Sequence, residues 1–236
     1  MTEVRFRSDM TVELVDSMGD DDSIVRAMLV STKGADAKDA EATFGRINFL
    51  MANRHGTPFE HATMQFYAEV PIFVFREWHR HRIGVSYNEM SGCYAQLPPT
   101  YYIPGPERNL VQTGKPGHYI FTPGTPEDYE WLVKDMQEEA KLNYAMYQRR
   151  LDRGIAKEVA RMSLGINIFS AQFFTCNPRS LMAFLSLRTK HEPPEAMFPS
   201  FPMREIEMAA EVMEQTFSDL FPLTYRAFVE NGRVAP

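Results

Sequence analysis

The stretch TMQFYAEVPIFVFREWHRHR at residues 63–82 contains two structural patterns in direct succession. In its first half, apolar side chains alternate with polar or partly polar ones, at Met64, Phe66, Ala68 and Val70. Such alternation is typical of a strand with one buried face. Pro71 fits the first position of a helix, which the pattern extends through Phe75 to about Arg82. The sequence therefore predicts a strand that leads directly into a helix.

Further elements are predicted on both sides of this stretch. Upstream lie two short extended segments, a helix that begins with an acidic cluster and a helix with apolar residues near helical spacing: Val4–Arg7, Thr11–Val15, the helix after Asp20-Asp21-Asp22, and Asp39 to about Arg54. Downstream lie a long amphipathic helix with a short continuation, a buried strand and two helices: Pro126 to about Arg153, Lys157–Met162, Leu164–Thr175, near Arg179–Lys190, and Arg204–Phe217. Mixed helices and noncontiguous strands predict an α+β fold.

Residues 97–126 contain seven prolines and four glycines. This segment is too irregular for core elements, so it is expected to be an excursion over the surface. A lid and a structural loop or subunit contact are equally open interpretations. We expect residues 1–236 to form one domain around a single core, from which this segment extends.

Composition excludes several classes of protein. The hydrophobic fraction of 44% is ordinary for a soluble chain, and no apolar run approaches the roughly 20 residues that span a bilayer. The first residues lack the apolar core of a signal peptide, so we expect a cytoplasmic protein. Cys93 and Cys176 have no disulfide or metal-ligand spacing. The net charge of −6 argues against a nucleic-acid polymer as partner, which a basic face would have to bind.

The run REWHRHR at residues 76–82 is unusually rich in cationic groups. On a helix, Arg76 and Arg80 would share one side, and Glu77 and His81 another. Two surfaces could then bind separate anions, such as a nucleotide phosphate and a flavin pyrophosphate. Simple stabilisation of a helix C-terminus by cations is an equally open reading. His79 and His81 point to different sides of a helix, so no metal site is expected.

A compact polar run follows at Ser86-Tyr87-Asn88-Glu89-Met90-Ser91-Gly92. It offers hydroxyl, amide and carboxylate groups, with a glycine that allows close approach of the backbone to a ligand. An ordinary polar turn is the competing interpretation. Neither a Walker A loop nor a Rossmann glycine fingerprint is present, so a bound flavin would need another kind of site.

Five motifs together resemble the flavin-dependent thymidylate synthase family, in the same order along the chain. They are His55-x-Thr57-Pro58-Phe59-Glu60-His61, Arg80-His81-Arg82, Ser86-x-Asn88-Glu89-x-Ser91-Gly92-x-Tyr94, Ala160-Arg161, and Asn177-x-Arg179-Ser180-Leu181-Met182 with Leu187-Arg188. The resemblance covers most of residues 45–190. It implies a twisted, mainly antiparallel sheet flanked by helices. It also implies a homotetramer with active sites at subunit interfaces, which uses FAD, methylenetetrahydrofolate and NADPH to methylate C5 of a uridine monophosphate, dUMP or UMP.

The resemblance also assigns site residues. The expected flavin set is His55, Thr57, Glu60, Arg80, His81, Arg82, Glu89, Asn177, Ala183 and Leu187. The expected nucleotide set is Glu77, Arg80, Glu89, Ser91, Gly92, Cys93, Arg161 and Arg188, with Arg80 supplied by a neighbouring subunit. Arg188 is the expected catalytic residue, because a permanent cation at the uracil edge favours the ionised ring.

Several positions depart from the family pattern. One extra residue lies between Arg82 and Ser91, and four positions carry an unusual side chain: Cys93 for arginine, Glu77 for glutamine, Gly165 for proline and Ala183 for asparagine. Loss of a charged hydrogen bond at Cys93 would cost roughly 1.5 to 3 kcal/mol unless another cation compensates. A reshaped pocket could admit the ribose 2′-hydroxyl of UMP. A noncatalytic flavin- or nucleotide-binding paralog and, more weakly, an RNA-binding module are the alternative functions.

Overall fold

The computed structural model describes residues 3–31, 40–116 and 118–236, and the predicted α+β class is confirmed. In chain order the strands are β1 Arg5–Arg7, β2 Thr11–Met18, β3 Thr63–Pro71, β4 Val85–Glu89, β5 Thr100–Tyr102, β6 Val111–Lys115, β7 His118–Thr122 and β8 Phe169–Cys176. The α-helices are α1 Asp21–Leu29, α2 Ala40–Ala52, α3 Ile72–Trp78, α4 Pro126–Asp152, α5 Lys157–Ala160, α6 Pro178–Arg188, α7 Arg204–Leu220 and α8 Pro222–Glu230. Short 3-10 helices occupy Thr57–Glu60 and Arg161–Ser163.

The largest sheet has the strand order β2-β3-β8-β4, and β2 runs antiparallel to β3. Along β3, the side chains of Met64, Phe66, Ala68 and Val70 are all 0% exposed, while their neighbours are partly exposed. The predicted alternation is therefore confirmed, and it fixes which face of the strand is buried. A parallel pair, β1 with β5, and an antiparallel hairpin, β6 with β7, complete the strands of the described residues.

By contact density the chain divides into two compact units. The first unit comprises the described residues of Met1–Asp9, Val70–Phe75 and Glu89–Ala171. Its core is formed where α4 buries Ala140, Tyr144 and Tyr147 against other apolar residues of the unit. The second unit comprises the described residues of Met10–Glu69, Arg76–Asn88 and Gln172–Pro236. Its core includes an aromatic group in which the Trp78 ring lies 5.5 Å from Phe174 and 5.4 Å from Phe184.

The helix predicted from Pro71 to about Arg82 is shorter than expected. Pro71 is the last residue of β3, and α3 ends at Trp78. The amides of Ile72 and Phe73 donate to backbone carbonyls at Ile168 and Ile166, which satisfies groups that a helix start leaves unpaired. At the other end, the amide of His81 donates to the carbonyl of Trp78, three residues back, so the chain closes into a turn. Residues 80–82 therefore follow the helix instead of extending it, although Glu77 and His81 still contact the same partner, Arg188.

The proline-rich segment 97–126 is less irregular than predicted. It contains the buried strand β5, where Tyr101 and Tyr102 are 0% and 5% exposed. This strand is ordered because it pairs with β1 and because Tyr101 packs edge-on against Tyr144 at 6.4 Å. Strands β6 and β7, in contrast, are exposed along their whole length, as expected of a surface excursion.

The remaining differences concern boundaries. The predicted start of a helix at Asp39 lies outside the described residues, and α2 ends at Ala52. The strand predicted from Leu164 begins only at Phe169, and α8 was not predicted because Pro222 separates it from α7. No helix in residues 3–31, 40–116 and 118–236 is both long and apolar enough to cross a membrane.

Candidate functional site

Arg188, at the end of α6, is bound by two residues of the α3 region. Its Nη1 donates to Oε2 of Glu77 at 2.6 Å, its Nη2 donates to the Glu77 carbonyl at 3.3 Å, and its Nε donates to Nε2 of His81 at 3.1 Å. The Arg188 and Glu77 side chains are 14% and 32% exposed. We call Glu77, His81 and Arg188 the Arg188 cluster. It brings together residues that are more than a hundred positions apart in sequence.

Burial and charge set the protonation states of this cluster. Burial lowers the pKa of His81 to about 4, and the positive charges of Arg188 and Arg80 act in the same direction. His81 is therefore neutral near pH 7, and because its Nε2 accepts from Arg188, its proton resides on Nδ1. Burial also lowers the pKa of Arg188, an effect that Glu77 opposes, and a guanidinium group remains protonated in proteins. The cluster thus holds one fixed cation, in which each of the three guanidinium nitrogens has a hydrogen-bond partner.

The segment after Arg82 is attached to the first turn of α6. Asn177 caps the helix by accepting the Ser180 amide at 2.8 Å, and the Ser180 hydroxyl donates to the Ile83 carbonyl at 2.8 Å. Gly84 has a φ of +67°, and a Cβ there would lie 2.4 Å from the Ser180 hydroxyl. Only glycine fits this close approach. The cap uses the Oδ1 atom of Asn177 and leaves its amide nitrogen available as a donor.

The side chains predicted to hold a flavin fit such a group chemically. Arg80 and Arg82 are exposed, and neither forms a side-chain hydrogen bond or ion pair within the described residues. Free guanidinium groups are what a diphosphate requires. Ala183 and Leu187 are four residues apart on α6 and both exposed, so they offer an apolar strip for a flat ring.

The His55–His61 motif forms a rigid turn in the second unit. Glu60 accepts from Nη1 of Arg179 at 2.6 Å, and Nε of Arg179 donates to the Pro236 backbone oxygen at 2.7 Å. A Cβ at Gly56 would lie 2.5 Å from the Arg179 guanidinium, so the motif glycine allows this contact. The carboxylate of Glu60 is thus paired within the chain, while Thr57 and His55 are exposed. The His55 ring stacks on Phe49 at 5.8 Å.

In the first unit, the predicted nucleotide residues lie around a tight turn after β4. Glu89 accepts from the Ser170 hydroxyl at 2.8 Å, and the Ser91 hydroxyl accepts the Cys93 amide at 3.3 Å. Gly92 is buried, and a Cβ there would lie 2.9 Å from Cδ of Arg161. A larger residue at this position would push the Arg161 side chain away from the turn.

Arg161 and Cys93 are in contact. Nη2 of Arg161 donates to the Cys93 sulfur at 3.3 Å, and Nζ of Lys157 donates to the Tyr94 carbonyl at 2.9 Å. We call Ser91 to Tyr94 with Arg161 and Lys157 the Cys93 turn. Lys157 was missed by sequence reasoning, although it lies four residues before Arg161 and hence on the same side of a helix.

The predicted residues therefore fall in both units. The second unit contains the Arg188 cluster and the flavin set apart from Glu89, and the first unit contains Glu89 and the Cys93 turn. Within residues 3–31, 40–116 and 118–236, no three His, Cys, Asp or Glu side chains are grouped as metal ligands would be.

Comparisons with known proteins agree on one family. The family model described as thymidylate synthase complementing protein matches residues 13–223. The flavin-dependent thymidylate synthase of Streptomyces coelicolor is 51% identical, over 99% of this chain and 96% of that protein. The enzyme of the same name from Tropheryma whipplei (strain TW08/27) is 47% identical over 98% of this chain and 97% of that protein.

Solved structures agree as well. The crystal structure of the UMP/dUMP methylase PolB from Streptomyces cacaoi, bound with 5-Br UMP, superposes with a TM-score of 0.92, at 44% identity and 99% coverage of each chain. A second PolB structure, bound with 5-Br dUMP, gives the same TM-score and identity. With these matches, the order of motifs along the sequence and the Arg188 cluster in the structure, the chain belongs to the flavin-dependent thymidylate synthases, a family of methyltransferase-type flavoenzymes.

Proposed function

We propose that this enzyme methylates C5 of a uridine monophosphate, with FAD as cofactor, methylenetetrahydrofolate as carbon donor and NADPH as reductant. The observation that carries the proposal is the Arg188 cluster, in which a guanidinium group is fixed by Glu77 at 2.6 Å and His81 at 3.1 Å. A cation that is held before the substrate arrives costs no reorganisation when negative charge develops on the uracil ring.

Among this chain's own residues, Arg188 has the central role, which is to stabilise the ionised uracil ring. Its guanidinium would lie at the uracil edge and would stabilise the ring once the N3 proton has been lost to solvent, which raises the electron density at C5. Glu77 and His81 keep the side chain in one rotamer. His81 stays neutral because burial and its cationic neighbours lower its pKa to about 4.

The second unit provides the groups that bind the flavin. Arg80 and Arg82 would pair with its diphosphate, and the exposed strip at Ala183 and Leu187 would contact its ring system. When bound and reduced, the flavin supplies the hydride that completes the methyl group. The Oδ1 atom of Asn177 accepts the helix-cap hydrogen bond, so the side-chain amide nitrogen would be the group that donates to the flavin.

The Cys93 turn binds the nucleotide phosphate. The Ser91 hydroxyl and the Arg161 guanidinium are the donors, and Lys157 adds a second positive charge. Arg161 compensates for the arginine that Cys93 replaces, because its Nη2 lies 3.3 Å from the Cys93 sulfur.

The sugar specificity includes both UMP and dUMP. The related PolB is described as a UMP/dUMP methylase and binds 5-Br UMP and 5-Br dUMP. At 44% identity over nearly the whole chain, a similar tolerance of the 2′-hydroxyl is expected. A competition assay with equal concentrations of UMP and dUMP measures the ratio of the two kcat/KM values. A ratio above about 100 for dUMP would contradict dual specificity.

Active sites are shared between subunits of a homotetramer. Arg80 supports this arrangement, since its guanidinium is exposed and without a partner in its own described chain. Two variants that are expected to turn over poorly at subsaturating nucleotide, Arg80→Ala and Arg161→Ala, can be mixed under conditions that exchange subunits. Regained turnover supports shared sites, whereas inactivity of the mixture, with subunit exchange verified by mass spectrometry, argues against them.

The direct test is a reconstitution. Flavin-loaded protein is incubated with UMP or dUMP, methylenetetrahydrofolate and NADPH, and the nucleotide is analysed for a C5 methyl group by mass spectrometry. A methylated product that depends on all components supports the proposal. Absence of product with both nucleotides from flavin-loaded protein would contradict it. Colourless protein that shows no bleaching with NADPH would favour the noncatalytic paralog.

A further inference from the structure

Thr189, directly after Arg188, is 3% exposed, and its hydroxyl group has three polar neighbours. The hydroxyl donates to the Leu185 carbonyl at 2.7 Å and accepts from Nη2 of Arg233 at 3.1 Å. Nε2 of His191 lies 2.8 Å away. A hydroxyl has one hydrogen and two acceptor positions, and a carbonyl can only accept. His191 must therefore donate through Nε2, and every hydrogen-bonding position of Thr189 is used.

Arg233 is a buried cation outside the family motifs discussed above. It forms an ion pair with Glu214 at 2.7 Å, with the two side chains 4% and 14% exposed. The Tyr225 hydroxyl donates to the same Glu214 oxygen at 2.8 Å. The backbone of Arg233 has a φ of 57°, a left-handed conformation that persists in non-glycine residues only where the surroundings impose it. The ion pair with Glu214 and the backbone conformation together therefore fix the position of the Arg233 guanidinium.

These groups fix the end of α6, which carries Arg188. The Thr189 amide donates to the Leu185 carbonyl at 3.1 Å, and the Thr189 carbonyl accepts from the Ser200 hydroxyl. The residue that follows the last turn of α6 is therefore held by hydrogen bonds of its backbone amide, its backbone carbonyl and its side-chain hydroxyl. A helix end without such bonds frays, because its final carbonyls lack partners. Arg188 immediately precedes this anchored residue, and its guanidinium has to meet both Glu77 and His81.

We propose that Thr189 and Arg233 are positioning residues for the methylation reaction: they hold the end of α6 so that the Arg188 guanidinium meets the uracil edge. The inference rests on the proposed function, in which Arg188 stabilises the ionised uracil. Neither residue needs to touch the substrate. Both act through the backbone of Arg188, and a displacement of even 1 Å at a reacting centre costs about 100-fold in rate.

The experiment replaces Thr189 in the flavin-loaded enzyme and follows a spectroscopic signal of uracil ionisation. The probe is 5-bromo-UMP, whose bromine makes the ring proton more acidic and whose ultraviolet spectrum changes on ionisation. In Thr189→Val, the ionisation midpoint of the bound probe is expected to move to higher pH. In the methylation assay kcat is expected to fall by about 10- to 100-fold with a smaller change in KM. Thr189→Ser keeps the hydroxyl and is expected to restore both values.

Thr216→Val is a matched control. The Thr216 hydroxyl donates to the Val212 carbonyl at 2.9 Å, four residues back, as Thr189 does to Leu185, but it is exposed. This variant is expected to keep the wild-type midpoint and kcat. Arg233→Lys is the second test should Thr189→Val not fold: it keeps a cation beside Glu214 but loses the donor to Thr189, so the same two readouts are expected to shift.

The outcomes separate this inference from its premise. A lower Tm in Thr189→Val or Arg233→Lys, with wild-type midpoint and kcat, would overturn it and leave only a structural role. Arg188→Ala serves as the reference. If Arg188→Ala alone shifts the midpoint and kcat, the positioning role fails and the role of Arg188 stands. If Arg188→Ala changes neither value, the proposed role of Arg188 fails and the positioning role fails with it.

Discussion

The Arg188 cluster and the Cys93 turn each present a guanidinium group within a family motif, but the two groups are held differently. Arg188 is 14% exposed and donates to a carboxylate and an imidazole. Arg161 is exposed and donates to a thiol, which is a weak acceptor. Under the proposed function, the chemistry is expected to depend on a cation with fixed partners. Phosphate binding is expected to tolerate substitution, because the exposed Arg161 side chain can move to the ligand.

The largest effect is expected from Arg188→Ala. Loss of the fixed cation is expected to lower kcat by about 100- to 1,000-fold, the usual magnitude for removal of one preorganised charge-stabilising donor. Flavin absorbance is expected to remain, because the flavin set lies on other side chains. Single-turnover measurements with flavin-loaded protein test this. Activity within a few-fold of wild type would remove Arg188 from the mechanism.

A smaller effect, and one of a different kind, is expected from Arg161→Ala. Loss of one charged hydrogen bond to phosphate costs roughly 1.5 to 3 kcal/mol, or about 10- to 150-fold in affinity. The loss should appear in the nucleotide Kd, with kcat at saturation nearly unchanged. Titration calorimetry with UMP, compared with the uncharged nucleoside uridine, provides the measurement. An equal loss of affinity for uridine would show that Arg161 does not bind the phosphate.

The protonation of His81 provides a pH-dependent test of the Arg188 cluster. In the unfolded chain His81 binds a proton near pH 6.5, whereas in the folded protein its pKa is about 4. Between these values the unfolded state binds more protons, so the free energy of unfolding falls as pH decreases from about 6.5 toward 4. In His81→Gln this contribution is absent, so urea unfolding at several pH values should give a flatter dependence than wild type. Equal slopes in that window would show that His81 is not held neutral.

The smallest effect is expected from Cys93 itself. Cys93→Ser preserves the size of the side chain and an acceptor for Arg161, so nucleotide affinity is expected to change by less than about threefold. Cys93→Arg adds a second cation beside Arg161, and because Arg161 already occupies this position the gain should also be small. A tenfold or greater gain in UMP affinity with Cys93→Arg would show that Arg161 does not compensate.

Some elements of the fold could be predicted from the sequence and others could not. The β3 strand was predictable because alternation of Met64, Phe66, Ala68 and Val70 is a local signal with one solution. The end of α3 was not predictable, because it depends on contacts of the segment that follows it. The Tyr87 hydroxyl donates to the His81 carbonyl, the Ser180 hydroxyl donates to the Ile83 carbonyl, and Gly84 lies against Ser180. Likewise β5 was hidden among prolines, and its partner β1 lies almost a hundred residues away.

By itself, the sequence determined the fold class, the family and the identity of the motif residues. These signals depend on the periodicity of residues close together in the chain and on the order of short motifs. The tertiary structure alone decided the partners: that Arg188 lies against Glu77 and His81, that Arg161 reaches Cys93, and that Thr189 is bonded to Arg233. Such pairings join residues far apart in the chain, and their geometry follows from how helices and strands pack. The protonation of His81 belongs to the same class, because burial and neighbouring charge set a pKa that residue type alone cannot.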